Sequence, residues 1–274
     1  MLLPAKLRVR TGTYESERNF LLPKFRTIME QFHVPTLIGA MILLLGWQVI
    51  SGRVSAYILP SPSAVLRGLV NITLSGELWD HVLATLYRVT AGFILAVIAC
   101  LCIGLVVTLV PFIRSAVKDF NAVLNATSVF VWISLALIWF GLTDMAPIFT
   151  TFMITIPVVL SNLIEGVDNV DRKLLEMAKV YRFSKTMVFK HIIAFSVLPY
   201  LASGMRVAFA LGLRVSVVAE IFGVSTGVGY MMNFARDTLR ADMVFVWAVV
   251  LILIMFITDR FIFSMVSKKV ASWS

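Results

Sequence analysis

The stretch LLEMAKVYRFSKTMVFKHIIAFSVLP, residues 174–199, decides how this chain is organised. It contains four basic residues, Lys179, Arg182, Lys185 and Lys190, although only 14% of the chain is charged and 59% is hydrophobic. Long apolar runs lie on both sides of it. A short basic segment with helical spacing therefore interrupts a strongly hydrophobic chain.

The spacing within this stretch predicts two short helices joined by a turn. The apolar face of the first helix would consist of Leu174, Leu175, Ala178 and Tyr181. Asp168 or Asp171 can cap that helix, and Ser184 can cap the second one. Pro199 would then begin the next apolar segment, because proline is tolerated in the first turn of a helix. Such a basic amphipathic loop could cover a lipid surface or dock a cytoplasmic partner.

Apolar blocks of membrane-spanning length fill most of the remaining chain. They lie at residues 34–50, 82–110, 121–142, 145–165, 197–219 and 243–265. Because a hydrocarbon core about 30 Å thick requires about 20 helical residues, we predict an all-α polytopic membrane protein with six transmembrane helices. Its parts would be a basic cytoplasmic N-terminal segment at 1–33, a transmembrane domain at 34–267 that includes the loop 168–191, and a cytoplasmic tail at 268–274.

The lysines and arginines set the predicted orientation. Most of them lie before the first block, near residue 114, in the loop 168–191 and after residue 259, whereas the opposite side holds only Arg53, Arg67, Arg236 and Arg240. Because positive charge accumulates on the cytoplasmic side, both termini and the loop 168–191 are predicted to be cytoplasmic. The net charge of +9 requires no nucleic acid, since basic loops beside anionic lipid account for it.

The sequence does not indicate an enzyme. GVSTG at residues 223–227 matches a nucleophile-elbow pattern, but that motif requires a strand, a turn and a helix, and no strand pattern surrounds it. His33, His81 and His191 are too far apart to suggest a metal site. The chain lacks a phosphate-binding loop that ends in Gly-Lys-Ser or Gly-Lys-Thr. We therefore predict no catalytic site, no metal and no cofactor in this chain.

Glu176-Met177-Ala178, the Leu198-Pro199 pair and their separation resemble the EAA loop of ABC-importer permeases, in particular those for nitrate, taurine and aliphatic sulfonates. The resemblance runs from about Leu59 to the C-terminus. In chain order it includes LPSPSAVL at 59–66, Leu86-Tyr87-Arg88 with Gly92-Phe93, Ile138-Trp139-Phe140-Gly141, Gly204-Met205-Arg206, Ala219-Glu220 and Gly227-Val228-Gly229-Tyr230.

This resemblance implies a bacterial inner-membrane permease that works by alternating access. The loop 168–191 would form coupling helices that contact an ATPase through Glu176, Met177, Ala178, Arg182, Ser184 and Lys185. The implied partners are an ATP-binding subunit dimer that carries ATP and magnesium, a second permease copy, an external solute-binding protein and membrane lipid. A secondary transporter or a channel subunit that works without an ATPase is the alternative.

Several positions depart from the family pattern. Arg182 stands where Gly is usual, and a left-handed backbone at a non-glycine residue costs about 1–2 kcal/mol. Phe195 replaces a usual Pro, and the third span lacks the prolines that usually precede its Trp, here Trp132. Arg214 stands where related permeases have an uncharged residue, eight positions after Arg206 and therefore near the same helical face.

The charged residues within spans lead to the site predictions. We place Arg214, Arg206, Arg88 and Trp132 on the translocation pathway and expect a small anionic solute, such as a sulfonate, nitrate or carboxylate. Structural ion pairing or snorkelling is the alternative for each arginine. Glu220, Gly227 and Gly229 are predicted to form an outer gate or a contact with the binding protein. A plain connecting loop is the alternative there.

Overall fold

The computed structural model describes residues 34–55, 57–110 and 112–263. These residues form helices, turns and bends without a β-strand. The all-α prediction is confirmed for this part of the chain. The predicted basic segment at 1–33 and the predicted tail at 268–274 lie outside the described residues, so the structure says nothing about either of them.

The helices follow one another with short connections. In chain order they are α1 (Val34–Ser51), α2 (Pro62–Leu74), α3 (Glu77–Leu109), α4 (Ile113–Ala126), α5 (Val129–Phe140), α6 (Met145–Asp168), α7 (Arg172–Val180), α8 (Lys185–Val188), α9 (Ala194–Gly223), α10 (Val228–Asp237) and α11 (Ala241–Ile257). A π-helical turn at Phe189–Ile193 joins α8 to α9, and another at Thr258–Phe263 follows α11.

The chain divides into two compact units, one up to Pro62 and the other from Ser63 onward. In the first unit, α1 exposes apolar side chains such as Ile42 and Leu43, as is typical of a helix that faces lipid. Trp47 closes this unit by donating its indole N–H to the Pro60 carbonyl oxygen at 3.0 Å.

The second unit is organised around α6, which packs against α3, α4, α5 and α9. Small residues allow the close approach of these helices: a Cβ atom on Gly92 of α3 would lie 2.6 Å from the Ile148 carbonyl oxygen, and one on Gly204 of α9 would lie 2.6 Å from Asn162 Cβ. Close packing at glycine is the usual way in which membrane helices associate.

Four helical stretches in the described residues are long and apolar enough to cross a membrane. They are Glu77–Thr108, Met145–Asp168, Lys185–Gly223 and Ala241–Arg260. The α4–α5 pair adds a fifth if it counts as one span, and the described apolar part of α1, Ile38–Ser51, is shorter. The membrane-type helical fold is thus confirmed, while the count of six spans stays a prediction.

The apolar block at residues 121–142, predicted as one span, is not one continuous helix. Helices α4 and α5 meet at 89° across Thr127 and Ser128. Thr127 ends α4, because its hydroxyl group donates to the Val123 carbonyl oxygen at 2.9 Å and its own backbone is extended. Hydroxyl residues favour helix ends because their side chains compete for backbone hydrogen bonds.

The prediction that a span begins at about 197 with Pro199 in its first turn is also wrong. The chain is helical from Lys185 to Gly223, and Pro199 lies inside α9. Membrane helices tolerate an internal proline because local π-helical adjustment and neighbouring groups satisfy the freed backbone. The π-helical turn at Phe189–Ile193 lies just upstream.

Candidate functional site

The loop between α6 and α9 contains the two capped helices that its sequence predicts. The Asp171 side chain accepts a hydrogen bond from the Lys173 backbone N–H at 2.8 Å and caps α7. The Ser184 hydroxyl oxygen accepts one from the Met187 N–H at 3.3 Å and caps α8. The second helix differs from the prediction because it does not end before the membrane span, but continues through the π-helical turn into α9.

The turn between these helices has the left-handed backbone that its glycine-like position suggests. Arg182 has φ 53°. Its N–H donates to the Lys179 carbonyl oxygen at 3.1 Å, and the Phe183 N–H donates to the Ala178 carbonyl oxygen at 2.8 Å. This pair of bonds is the Schellman motif, which satisfies the last carbonyl groups of a helix. Arginine at its left-handed position retains a strain of about 1–2 kcal/mol.

The loop 168–191 packs around a small core of its own. Ala178, Val170 and Ile192 are all buried, and Leu175 and Val188 pack against them. Ala178 was predicted to contact an ATPase, but its side chain is only 2% exposed. It therefore positions α7 against the rest of the loop, and any partner would meet its neighbours instead.

The surface of this loop is unusually apolar for a segment outside the long helices. The side chains of Met177, Val180 and Tyr181 are 41%, 79% and 70% exposed. Leu174, Phe183 and Met187 are exposed beside them. Exposed polar or charged side chains on the same loop are Glu176, Lys179, Arg182, Ser184 and Lys185. A contiguous apolar surface with a charged rim is typical of a protein-protein contact.

A second group of polar side chains, the Arg88 cluster, lies at the other end of α6. It consists of Arg88, Asp144, Glu220, Thr85 and Thr226. Arg88 donates to Glu220 Oε1 at 3.0 Å, to Asp144 Oδ1 at 3.0 and 2.7 Å, and to the carbonyl and hydroxyl oxygens of Thr226 at 2.7 and 2.6 Å. Thr85 Oγ1 donates to Glu220 Oε2 at 2.9 Å.

The backbone of the connection between α9 and α10 is tied to this cluster. The N–H of Gly229 donates to Glu220 Oε2 at 3.0 Å, and the N–H of Gly227 donates to His81 Nδ1 at 3.0 Å. Gly227 has φ 113°, and a Cβ atom on Gly229 would lie 2.0 Å from the Val217 carbonyl oxygen. The two glycines therefore allow close packing of this connection.

Arg88 and Glu220 thus form an ion pair with each other. Arg88 is 2% exposed and Glu220 is 0% exposed. In this structure Arg88 therefore presents no free surface for the predicted contact with a solute. Glu220 likewise presents none for a direct contact with a binding protein. The physical reason is that a charge buried within a membrane span is expensive unless it is paired and hydrogen-bonded.

Arg206 and Arg214 share a cavity of about 310 Å³ between α9 and the end of α11. Arg206 forms a bidentate ion pair with Asp259, with nitrogen–oxygen distances of 2.6 and 2.7 Å. Arg214 is exposed and has no ion-pair or hydrogen-bond partner among the described residues. The cavity wall is otherwise mainly apolar, formed by Phe209, Ala210, Leu213, Met255, Phe256 and Thr258. The two arginines predicted near one helical face therefore do lie together.

Trp132, the remaining residue predicted on the pathway, lies on α5 and packs against the main core. Its ring is inclined at 68° to that of Phe149, with centroids 6.4 Å apart. Its indole nitrogen is buried without a hydrogen-bond partner among the described residues. Trp132 does not line the cavity that Arg206 and Arg214 share.

A third polar region, which was not predicted from the sequence, lies between α4 and α6. A cavity of about 390 Å³ lies there, and most of its lining is polar: Lys118, Asn121, Asn125, Ser161, Glu165 and Asp168, with Ala122 and Ile164. The signal was present in the spacing, since the polar residues of each helix recur every three or four positions. The apolar composition of the two segments that form α4 and α6 hides this polar spacing.

Similarity to known proteins over most of the chain shows its family. A family model described as "Binding-protein-dependent transport system inner membrane component" matches residues 90–270. The chain belongs to this family. It is 32% identical over 202 residues to a putative aliphatic sulfonates transport permease protein of Escherichia coli, which covers 73% of this chain and 77% of the relative. It is 29% identical over 238 residues to a riboflavin transport system permease protein of Chloroflexus aurantiacus, with 85% and 88% covered.

The fold agrees with this membership. A crystal structure of an amino acid ABC transporter with histidines matches with a TM-score of 0.58 and 15% identity, covering 75% of this chain and 96% of that one. The chain is therefore an ABC transporter permease and a multi-pass protein of the bacterial inner membrane. Members of the family are membrane permease subunits rather than enzymes.

Proposed function

We propose that this permease forms the translocation pathway of an ATP-driven, binding-protein-dependent importer, and that the loop 168–191 couples it to a dimer of ATP-binding subunits. The exposed apolar surface of this loop, held on the loop's own packed core, carries the proposal. Water would not favour Met177, Val180 and Tyr181 at this exposure unless a partner covered them. Both helix caps and the Schellman turn hold that surface in a fixed shape.

The helix that follows the loop offers a mechanical connection. The chain is helical for 39 residues from Lys185 to Gly223, which corresponds to about 58 Å. One end of this helix belongs to the loop, and the other end carries Glu220 of the Arg88 cluster. A displacement of the loop by closing ATPases would thus be transmitted to the opposite end of the bundle, as alternating access requires.

We propose partners for this chain because one copy alone would not surround a complete translocation pathway. A single copy supplies about half of the helices that surround a pathway, so we propose a second copy of this permease as its partner. The family description names binding-protein-dependent systems, and we propose an external solute-binding protein as well. ATP and magnesium would bind the ATPase subunits, and lipid would cover the exposed apolar helices.

The proposed solute is a small organic anion. Arg214 supports this assignment, since an exposed and unpaired guanidinium group within a span is expensive unless it faces water or an anion. The relative named for aliphatic sulfonates points to the same charge. The relative named for riboflavin supports a neutral heterocyclic solute as the second candidate, because the walls of the cavity beside Arg214 are largely apolar.

Co-purification and uptake test this function together. We expect the tagged permease to retain an ATP-binding subunit, and a Met177→Asp variant to lose it while still inserting into the membrane. Leu239→Asp is the matched control, because Leu239 is 81% exposed in the connection between α10 and α11. ATP-independent uptake by the permease alone would reject the proposal in favour of a secondary transporter. Competition of uptake by ethanesulfonate but not by riboflavin would support the anion.

A further inference from the structure

Two polar stripes face each other between α4 and α6. On α4, Lys118, Asn121 and Asn125 lie on one helical face. On α6, Ser161, Glu165 and Asp168 do the same. The spacing of three or four residues within each stripe places its members above one another along the helix. Both stripes line the cavity of about 390 Å³.

Direct bonds hold the two stripes in register. Asn121 Nδ2 donates to Ser161 Oγ at 2.8 Å and to the Pro157 carbonyl oxygen at 3.3 Å. At the end nearer the loop 168–191, Lys118 Nζ lies 2.7 Å from Asp168 Oδ2, and Arg114 Nη2 lies 2.5 Å from Asp168 Oδ1. Asn121 is thereby fixed in one orientation.

The fixed orientation leaves hydrogen-bond acceptors unused. Asn121 is 6% exposed, and its Oδ1 atom is buried without a hydrogen-bond partner among the described residues. The side chain of Glu165 is exposed on the same wall, and within the described ranges it has no ion-pair partner. A buried polar atom without a hydrogen-bond partner is unfavourable, so the site favours a ligand that supplies donors.

The opposite face of α4 is apolar. Phe120 and Val123 are 62% and 63% exposed there, as expected for side chains that meet lipid or another apolar helix. Polar side chains within a membrane protein instead face a water-filled cavity or the bundle interior. Helix α4 therefore separates an apolar surface from an aqueous one.

We propose that the two polar stripes form a water-filled binding site for the solute in the cytoplasmic half of the pathway, and that the site recognises amine or amide N–H groups. The N–H donors would meet Asn121 Oδ1 and the Glu165 carboxylate. Lys118, which also pairs with Asp168, would offer a remaining ammonium N–H to an anionic group of the same solute. This inference rests on the proposed orientation and narrows the proposed solute class to anions that also carry an N–H donor.

Thiol labelling tests the aqueous face. Cys100 and Cys102 are first replaced by alanine, and single cysteines are then placed at Asn125, Glu165, Phe120 or Val123 in the reconstituted permease–ATPase complex. An impermeant thiol reagent added to the cytoplasmic side should modify Asn125→Cys and Glu165→Cys at least about tenfold faster than the cysteines on the apolar face, because the reactive thiolate needs water. Equal, slow labelling at all four positions would overturn the site.

Protection by two probes tests the ligand chemistry. Taurine and ethanesulfonate share a sulfonate group, but only taurine carries an amine. We expect taurine to slow the labelling of Asn125→Cys several-fold, and ethanesulfonate to have little effect. The Asn121→Leu change, which keeps the size but removes the acceptor, should abolish the difference. Equal protection by both probes, or protection by neither, would overturn the recognition of N–H groups.

Retention of the ATP-binding subunit is measured on the same samples. A labelled, non-protected stripe in a complex that retains its ATPase refutes only this inference. Loss of the ATPase from the unsubstituted complex refutes the proposed function instead. Labelling of Asn125→Cys from the external side alone would overturn the cytoplasmic placement of the site.

Discussion

The Arg88 cluster and the loop 168–191 lie at opposite ends of α6, and they differ in which side chains are buried and which are exposed. In the cluster, the charged side chains of Arg88 and Glu220 are buried, and Arg88 donates hydrogen bonds to Asp144, Glu220 and Thr226. In the loop, apolar side chains such as Val180 remain exposed. One end of the bundle is closed by the chain itself, whereas the other presents surface that a partner would cover.

The two ends are joined by a continuous helix, so the difference has a mechanical meaning. The helix from Lys185 to Gly223 begins in the loop and ends beside the cluster. A displacement of the exposed end in the loop can move the whole helix, because its other end is held by the buried ion pair between Glu220 and Arg88. The comparison therefore predicts large effects of substitution on stability at the cluster and large effects on coupling at the loop.

The largest expected effect is that of Arg88→Met. It leaves Glu220 buried without its cation, and breaking a buried pair on one side typically costs about 3–5 kcal/mol. We expect poor recovery of folded protein and a markedly lower unfolding temperature in detergent. The double variant Arg88→Met with Glu220→Gln should recover part of the loss. Arg67→Met, at an exposed position on α2, is the control, and equal stability of the two single variants would contradict the role of the cluster.

Gly229→Ala should destabilise the same end of the bundle by about 1–3 kcal/mol, because its Cβ atom would overlap the Val217 carbonyl oxygen. The matched control is Gly46→Ala on α1, where no atom lies within 4 Å of the added Cβ atom. Thermal unfolding followed by size-exclusion chromatography compares the two. If both variants unfold at the temperature of the parent, the connection between α9 and α10 is looser than the hydrogen bonds indicate.

Arg214→Gln tests the proposed anion selectivity without changing a residue of the Arg88 cluster or of the loop 168–191. Removing a charged hydrogen-bond donor from an anion typically costs about 1.5–3 kcal/mol, so uptake should fall roughly tenfold or more. Assembly with the ATPase and solute binding by the external protein should stay unchanged. The control is Arg240→Gln, on an exposed arginine near the start of α11. Normal uptake by the Arg214 variant would favour a neutral solute.

The smallest expected effect is that of Arg182→Gly. Glycine adopts φ 53° without the steric cost of a Cβ atom, so the loop should gain about 1 kcal/mol in local stability. Hydrogen exchange of the amides of α7 would report the gain as stronger protection. Leu239→Gly, at φ 56°, is the matched change away from the loop. Weaker protection in Arg182→Gly would show that the arginine side chain stabilises the turn.

The features that the sequence predicted correctly are local. Asp171, Ser184 and the left-handed residue at 182 each act over a few positions, and helix caps depend on little else. The resemblance of the ordered motifs predicted the family, which the matching family model confirms.

The features that were missed depend on distant parts of the chain. Arg88 meets Asp144 and Glu220 across 56 and 132 residues, so no sequence window contains all three. Arg206 likewise forms its ion pair with Asp259, which lies 53 residues away in the sequence. The bend at Thr127 was hidden because the apolar composition of the segment suggested one span, although its hydroxyl residues mark a helix end.

Site-directed cross-linking of Glu176→Cys, in a permease whose native cysteines are replaced by alanine, tests the central claim most directly. The claim predicts a cross-link between position 176 and the ATP-binding subunit in membranes, and modification of this cysteine by an impermeant reagent from the cytoplasmic side only. Ready modification from the external side, together with no cross-link to the ATPase, would contradict both the orientation of the chain and the coupling role of its loop.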